Sequence, residues 1–198
     1  MNSGNSLPKI HAHDTLIFLY QNSNGWAREY YLSECAHCYT IRRGMSVGDF
    51  SVASMPGGKP YFPYYPQVHF SISHSGEYWA AAFGGNPLGL DIQRHEERDI
   101  LALAKRWYHN EEFVAVEQYG KECFFDIWSA KESLVKCCGE GFPASFTKFS
   151  VVENGVVAAV CGIWQLKLLR IIAGYSFCLC AKELGEVYID EGFLKGCR

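Results

Sequence analysis

The sequence predicts an α+β protein, with antiparallel strands covered on one face by helices. Three observations carry that prediction. Short runs rich in β-branched and aromatic residues recur along the first 93 positions, a helix-patterned block fills the middle, and strand-like runs return from residue 147 onward. A hydrophobic share of 48% with 15% aromatic residues is enough for a sizeable core and excludes an intrinsically disordered chain.

Taken in order, residues 14–21 and 68–72 read as strands, followed by Tyr78 to Phe83. The turn-forming run Gly-Gly-Asn-Pro at 84–87 leads into Leu88-Gly-Leu-Asp-Ile-Gln93, which predicts a hairpin with the preceding strand. The charged stretch from His95 to Asp99 ends the strands. Helices are expected over Ile100–Tyr108, Glu111–Tyr119 and Cys123–Cys138, the last with the strongest pattern. Strands are expected again at 147–152, 156–161, 164–172 and 175–182. A seam near residue 94 divides the chain into 1–94 and 95–198. Each part ends in a comparable strand pair, an arrangement compatible with internal duplication although the two share no evident identity.

Charge and composition narrow the function. A net charge of −3 argues against coating nucleic acid or an anionic membrane by bulk attraction. The polar stretch from Met1 to Lys9 does not read as a secretory signal, and no apolar run approaches the ~20 residues of a membrane span. Nine cysteines without a disulfide-like framework favour a reducing, cytoplasmic setting. Cys35-Ala-His-Cys38 has the spacing of a redox or zinc half-site, but no second pair completes tetrahedral ligation, so two buried thiols are the plainer reading.

Three segments place polar residues where the local pattern predicts burial. In Phe70-Ser-Ile-Ser-His-Ser-Gly76, strand alternation puts Ser71 and Ser73 on one side and Phe70, Ile72 and His74 on the other. In Gly89-Leu-Asp-Ile-Gln93, Asp91 and Gln93 share a face, about 7 Å apart, while Leu90 and Ile92 anchor the strand from the other. In Trp128-Ser-Ala-Lys-Glu-Ser-Leu-Val-Lys136, helical spacing puts Glu132 and Lys136 on one face with Phe125 and Ser129, whereas Lys131 lies on another side. An exposed Glu–Lys pair would contribute only a few tenths of a kcal/mol. This helix, however, is apolar almost all round, so enclosure of Glu132 is expected. Two acids, an amide and lysines suit Mg²⁺ beside a polyphosphate better than they suit zinc. Neither a P-loop nor a dinucleotide-binding glycine pattern is present. The residues by themselves point to a Mg²⁺-dependent enzyme acting on a diphosphate.

These segments, in this order and with 41 residues separating Asp91 from Glu132, resemble the 4′-phosphopantetheinyl transferase superfamily, and within it the surfactin-synthetase-activating (Sfp-type) branch. Gly58-Lys-Pro-Tyr61 and Ala173-Gly-Tyr-Ser-Phe-Cys-Leu-Cys180 extend the likeness over residues 58–180, whereas the first 57 residues match poorly. The resemblance implies a monomer built as a pseudo-dimer of two similar halves, each a small antiparallel sheet packed with helices, with coenzyme A in the cleft between them. It implies transfer of the phosphopantetheine arm to a serine of an apo acyl or peptidyl carrier protein, releasing 3′,5′-ADP.

Carried over by position, Asp91 and Glu132 would ligate Mg²⁺, with Gln93 as a further ligand standing where most members carry an acid. Lys136 would contact the diphosphate, Ser73 and His74 the 3′-phosphate end, and Lys59 the nucleotide. Glu132 would take the serine proton, with Glu112 as a second acid near the site. Arg28, Arg42 and Arg43 are candidates for the coenzyme's phosphates. Arg94, Arg98, Lys105 and Arg106 could form a patch for an acidic carrier, although a solvated helix face is the plainer reading. Gln93 and the short amino-terminal region would also suit a non-catalytic coenzyme A or carrier-binding protein on the same scaffold.

Overall fold

A computed structural model describes residues 9–21, 28–139 and 146–190, with the side chains of 28–30 excepted. The first part of the chain contributes β1 (Thr15–Gln21), α1 (Arg28–Arg42), the short strands β2 (Ala53–Ser54) and β3 (Pro60–Tyr61), then β4 (His69–Ser75), β5 (Tyr78–Gly84) and β6 (Leu88–Arg94). The helical block comprises α2 (Ile100–Trp107), α3 (Asn110–Tyr119) and α4 (Lys121–Cys138), with a 3₁₀ turn at Phe146–Lys148. The small strands β7 (Val152–Glu153), β8 (Val156–Val157) and β9 (Val160–Cys161) precede β10 (Trp164–Leu169), β11 (Tyr175–Ala181) and β12 (Val187–Asp190).

Two four-stranded sheets result, ordered β12-β1-β5-β4 and β6-β11-β10-β9, antiparallel apart from the parallel β1–β12 pair. The α+β class is as predicted. The hairpin between β5 and β6 is not: β5 has β1 on one side and β4 on the other, so no edge remains for β6. The chain therefore crosses at the 84–87 turn into the second sheet, where β6 pairs with β11 and Asp91 lies opposite Cys178. Both sheets thus draw on residues from either side of position 94, since β12 returns to β1.

Strand alternation sorts the core into layers. Leu16, Phe18 and Tyr20 of β1 pack with Tyr39 of α1 and Phe83 of β5. Ile17 and Leu19 face the other way, joining Leu90 and Ile92 of β6 and Phe177 and Leu179 of β11 between the sheets. The opposite face of the second sheet receives the helices, with Phe124, Ile127 and Ala130 of α4 against Cys178 and Cys180. Helix α1 is absent from the expected elements, although Leu32, Cys35, Ala36 and Tyr39, all buried, follow the i, i+3, i+4, i+7 spacing of a helical stripe.

The sheets are joined along β4 and β6 by side chains. Ser71, Ser73 and Ser75 lie on one face of β4, and their hydroxyl oxygens accept from the backbone N–H groups of Leu90, Ile92 and Arg94 at 2.9, 3.2 and 2.9 Å. Alternate serines stand where a neighbouring strand's carbonyls would be, satisfying one edge of β6 while β11 satisfies the other. Helix α4 then packs directly on β6 at Gly89, where an added Cβ would lie 1.9 Å from the Ser133 carbonyl oxygen and 2.6 Å from the Cys137 nitrogen. It ends at Gly139, whose left-handed conformation (φ 75°) lets its N–H bond the Val135 carbonyl.

Candidate functional site: an acid cluster between β6 and α4

Asp91 is 2% exposed, and a carboxylate so deeply placed needs partners. Its Oδ1 accepts from the Ser73 hydroxyl at 2.8 Å and from the Lys136 ammonium at 2.6 Å. Its Oδ2 accepts from the Gln93 amide nitrogen at 2.9 Å. Lys136 also donates to Ser73 Oγ at 3.1 Å and to the Leu90 carbonyl at 3.2 Å. The close contact at Gly89 makes this possible by bringing the α4 backbone down onto β6.

One helical turn before Lys136, Glu132 lines a cleft of about 230 Å³ with Lys136, Ser71, Ile72 and the Gly57–Pro60 segment. Its carboxyl pKa is pushed up to about 7, by burial first and by the nearby Asp91 charge second, with Lys136 opposing both. The two acids are therefore close enough for their charges to interact, and Lys136 offsets them. An added hard cation would relieve that excess, and the donors are of the kind Mg²⁺ takes: two carboxylates and the Gln93 amide oxygen, once the amide turns over. Among the described residues, no group of three or more His, Cys, Asp or Glu side chains is placed to hold a metal, in keeping with an amide at position 93.

The other expected site residues are distributed differently. Ser73 is turned into the Asp91 cluster, and His74 lies exposed on the opposite face of β4. Lys59 borders the cleft, but its amine donates to the Cys137 carbonyl at 2.8 Å and to the Leu88 carbonyl at 3.2 Å, tying its loop to the last turn of α4. Burial pulls its pKa down. Arg42 pairs with Asp190 at 3.3 Å, and Arg43 donates to the Tyr39 hydroxyl at 2.7 Å. The Arg28 side chain lies outside the described residues. The Cys35 thiol contacts the Tyr20 hydroxyl, and burial holds the pKa values of both Cys35 and Cys38 above the ordinary thiol range, as expected of buried thiols.

Glu112 is not brought to this cluster. It is fully enclosed, accepting from the Lys131 ammonium at 2.7 Å, from the Val151 N–H at 2.8 Å and from the His109 N–H at 2.9 Å. The last bond closes the capping box that starts α3. Lys131 donates in addition to the Phe149 carbonyl at 2.6 Å and lies 4.1 Å from the Phe149 ring centroid. The pair fastens α3, α4 and the segment before β7 together and fixes the rotation of α4, on which the neighbouring Glu132 depends. Sequence reasoning assigned Lys131 no role. The signal was a lysine inside a helix apolar almost all round, a position that demands a buried counter-charge.

With the cluster in view, the similarity to known proteins becomes specific. Residues 87–172, spanning Asp91, Glu132 and Lys136, match the 4′-phosphopantetheinyl transferase superfamily. The chain is 32% identical over 150 residues to the 4′-phosphopantetheinyl transferase Sfp of Bacillus subtilis (strain 168), covering 69% of this chain and 65% of that protein. It is 30% identical over 147 residues to the 4′-phosphopantetheinyl transferase ffp of Bacillus subtilis, with the same coverage. It is 33% identical over 101 residues to the 4′-phosphopantetheinyl transferase gsp of Aneurinibacillus migulanus, covering 49% and 41% of the two chains. In each case the chain spans less than two thirds of the relative's length. These matches make the chain similar to the 4′-phosphopantetheinyl transferase superfamily, and within it they support the Sfp-type branch.

Proposed function

We propose that the protein transfers the 4′-phosphopantetheine arm of coenzyme A to a serine of an apo acyl or peptidyl carrier protein, releasing 3′,5′-ADP, in a Mg²⁺-dependent reaction. The observation that carries this reading is that Asp91, from a sheet edge, lies buried against Lys136 and within charge range of Glu132, both from a helix more than forty residues further on and both lining one cleft. The names of the relatives support the same activity.

The nucleophile comes from the carrier, so the chain's tasks are to orient the diphosphate, offset its charge and accept the serine proton. Asp91 and Glu132, with the Gln93 amide, would hold Mg²⁺, which when bound supplies charge neutralisation at the diphosphate. Lys136 lines the same cleft and would contact the same phosphates. Glu132 is assigned the serine proton because it lines the cleft, whereas Glu112 is sealed behind Lys131. Of the residues expected at the 3′-phosphate end, exposed His74 keeps that assignment, while Ser73 is committed to Asp91. A monomer and a cytoplasmic setting remain part of the proposal. Among the described residues, no helix is long and apolar enough to cross a membrane.

The test is direct. Protein, Mg²⁺, coenzyme A and a panel of apo carriers are combined, and intact-mass spectrometry follows the carrier. Gain of the arm on at least one carrier, lost in chelator, is the expected result. If 3′,5′-ADP appears without any carrier, or if no carrier gains mass, the proposal falls.

A further inference from the structure

The Lys136 ammonium holds the Asp91 oxygen that a metal ion would use. Its three N–H groups are all taken, by Asp91 Oδ1 at 2.6 Å, Ser73 Oγ at 3.1 Å and the Leu90 carbonyl at 3.2 Å. Of the four acceptor positions on the Asp91 carboxylate, both on Oδ1 are taken, by Lys136 and Ser73, and one on Oδ2 is taken by Gln93. Ser73 has no capacity left, because its proton goes to Asp91 and its oxygen accepts from both Ile92 N–H and Lys136. A divalent cation that takes Asp91 Oδ1 must displace one of its two donors, because both lone pairs of that oxygen are occupied, and the charged donor is the one it repels.

We infer that Lys136 is a resident counter-cation for Asp91, and that divalent metal binds by exchange with it, releasing the amine into the cleft that it already borders. Lys136 is 30% exposed on its side chain, against 3% for Asp91, so it is the partner with room to leave. The exchange makes the coenzyme-free protein a weak binder of divalent cations. It also couples metal and phosphate, because the amine displaced by one becomes available to the other. The amide at position 93 strengthens the effect: it brings no negative charge that would favour a doubly charged ion over the ammonium. The inference takes the identity of the cation from the proposed transferase reading.

Two measurements on the full chain without coenzyme A test it. In the first, Mn²⁺ binding is followed by electron paramagnetic resonance for the wild type, Lys136→Met and Lys136→Gln. Both variants should bind at least about tenfold more tightly than wild type, since the competing charge is gone. In the second, wild-type protein is labelled with an amine-acylating reagent and the Lys136 peptide is quantified by mass spectrometry. Adding Mg²⁺ should raise its labelling rate severalfold, which loss of a distant charge interaction would not do. Equal Mn²⁺ affinity in folded variants, or labelling indifferent to Mg²⁺, overturns the exchange. If wild type still loads a carrier in a metal-dependent way, only the exchange is lost. If neither wild type nor variants bind Mn²⁺ and no carrier is loaded, the transferase reading falls with it.

Discussion

Gly89→Ala tests most directly the idea that the site exists because α4 lies on the β6 backbone. The new Cβ would come within 1.9 Å of the Ser133 carbonyl oxygen and 2.6 Å of the Cys137 nitrogen, where ordinary contact begins at 3.4 Å. Both atoms belong to the helix backbone, so no side chain can rotate away, and β6 and α4 must part by about 1.5 Å, the shortfall at the closer atom. Overpacking of this kind costs about 1–3 kcal/mol, and the absence of a yielding side chain places it near 3. For a chain of this size, that lowers the melting temperature by roughly 6–12 °C. Ser133 and Cys137 each follow a site residue, Glu132 and Lys136, so the separation falls on the cluster itself. A displacement of about 1 Å can reduce turnover on the order of a hundredfold. Differential scanning calorimetry and the carrier-loading assay read the two effects. A melting temperature within about 2 °C of wild type together with normal loading would refute the argument that this contact builds the site.

Further outcomes follow from the same geometry. Glu132→Gln should abolish carrier loading while leaving the circular dichroism spectrum and melting temperature near wild type; substantial residual loading would remove both its metal and its proton roles. Gln93→Glu should lower the Mg²⁺ concentration for half-maximal loading, because a third acid joins Asp91 and Glu132, and an unchanged value would place position 93 outside the metal's reach. Lys131→Met should destabilise the fold by about 3–5 kcal/mol in urea titrations, since Glu112 is left buried without its counter-charge. The double variant Lys131→Met/Glu112→Gln should recover part of that loss, and failure to recover any would mean the pair is not the cause.

Much of this arrangement was legible beforehand. The strands at 78–83, 88–93 and 175–182 and the helix at 123–138 follow local pattern, and the structure places them within a residue or two. The enclosure of Asp91 and Glu132 was legible as well, because both sit where their neighbours demand burial. What local pattern could not supply was partnership. Leu88–Arg94 looks like the second arm of a hairpin because a turn precedes it, yet strand pairing depends on which edges are vacant, and β5 has none. Glu112 resembles a site acid until its donors are known: Lys131 from the next helix and the Val151 amide from beyond it. Lys59 carries a charge suited to phosphate but spends its amine on the end of α4.

The sequence by itself determined the class of elements, the family likeness and the enclosure of Asp91 and Glu132, because side-chain periodicity and charge are properties of neighbours along the chain. Only the tertiary structure decided that Ser71, Ser73 and Ser75 join two sheets, that Gly89 admits α4, and that Lys136 fills the position beside Asp91. Those outcomes depend on which backbone edge or charge arrives from a distant segment, and the cost of burying an unpaired group fixes them only once the layers have packed.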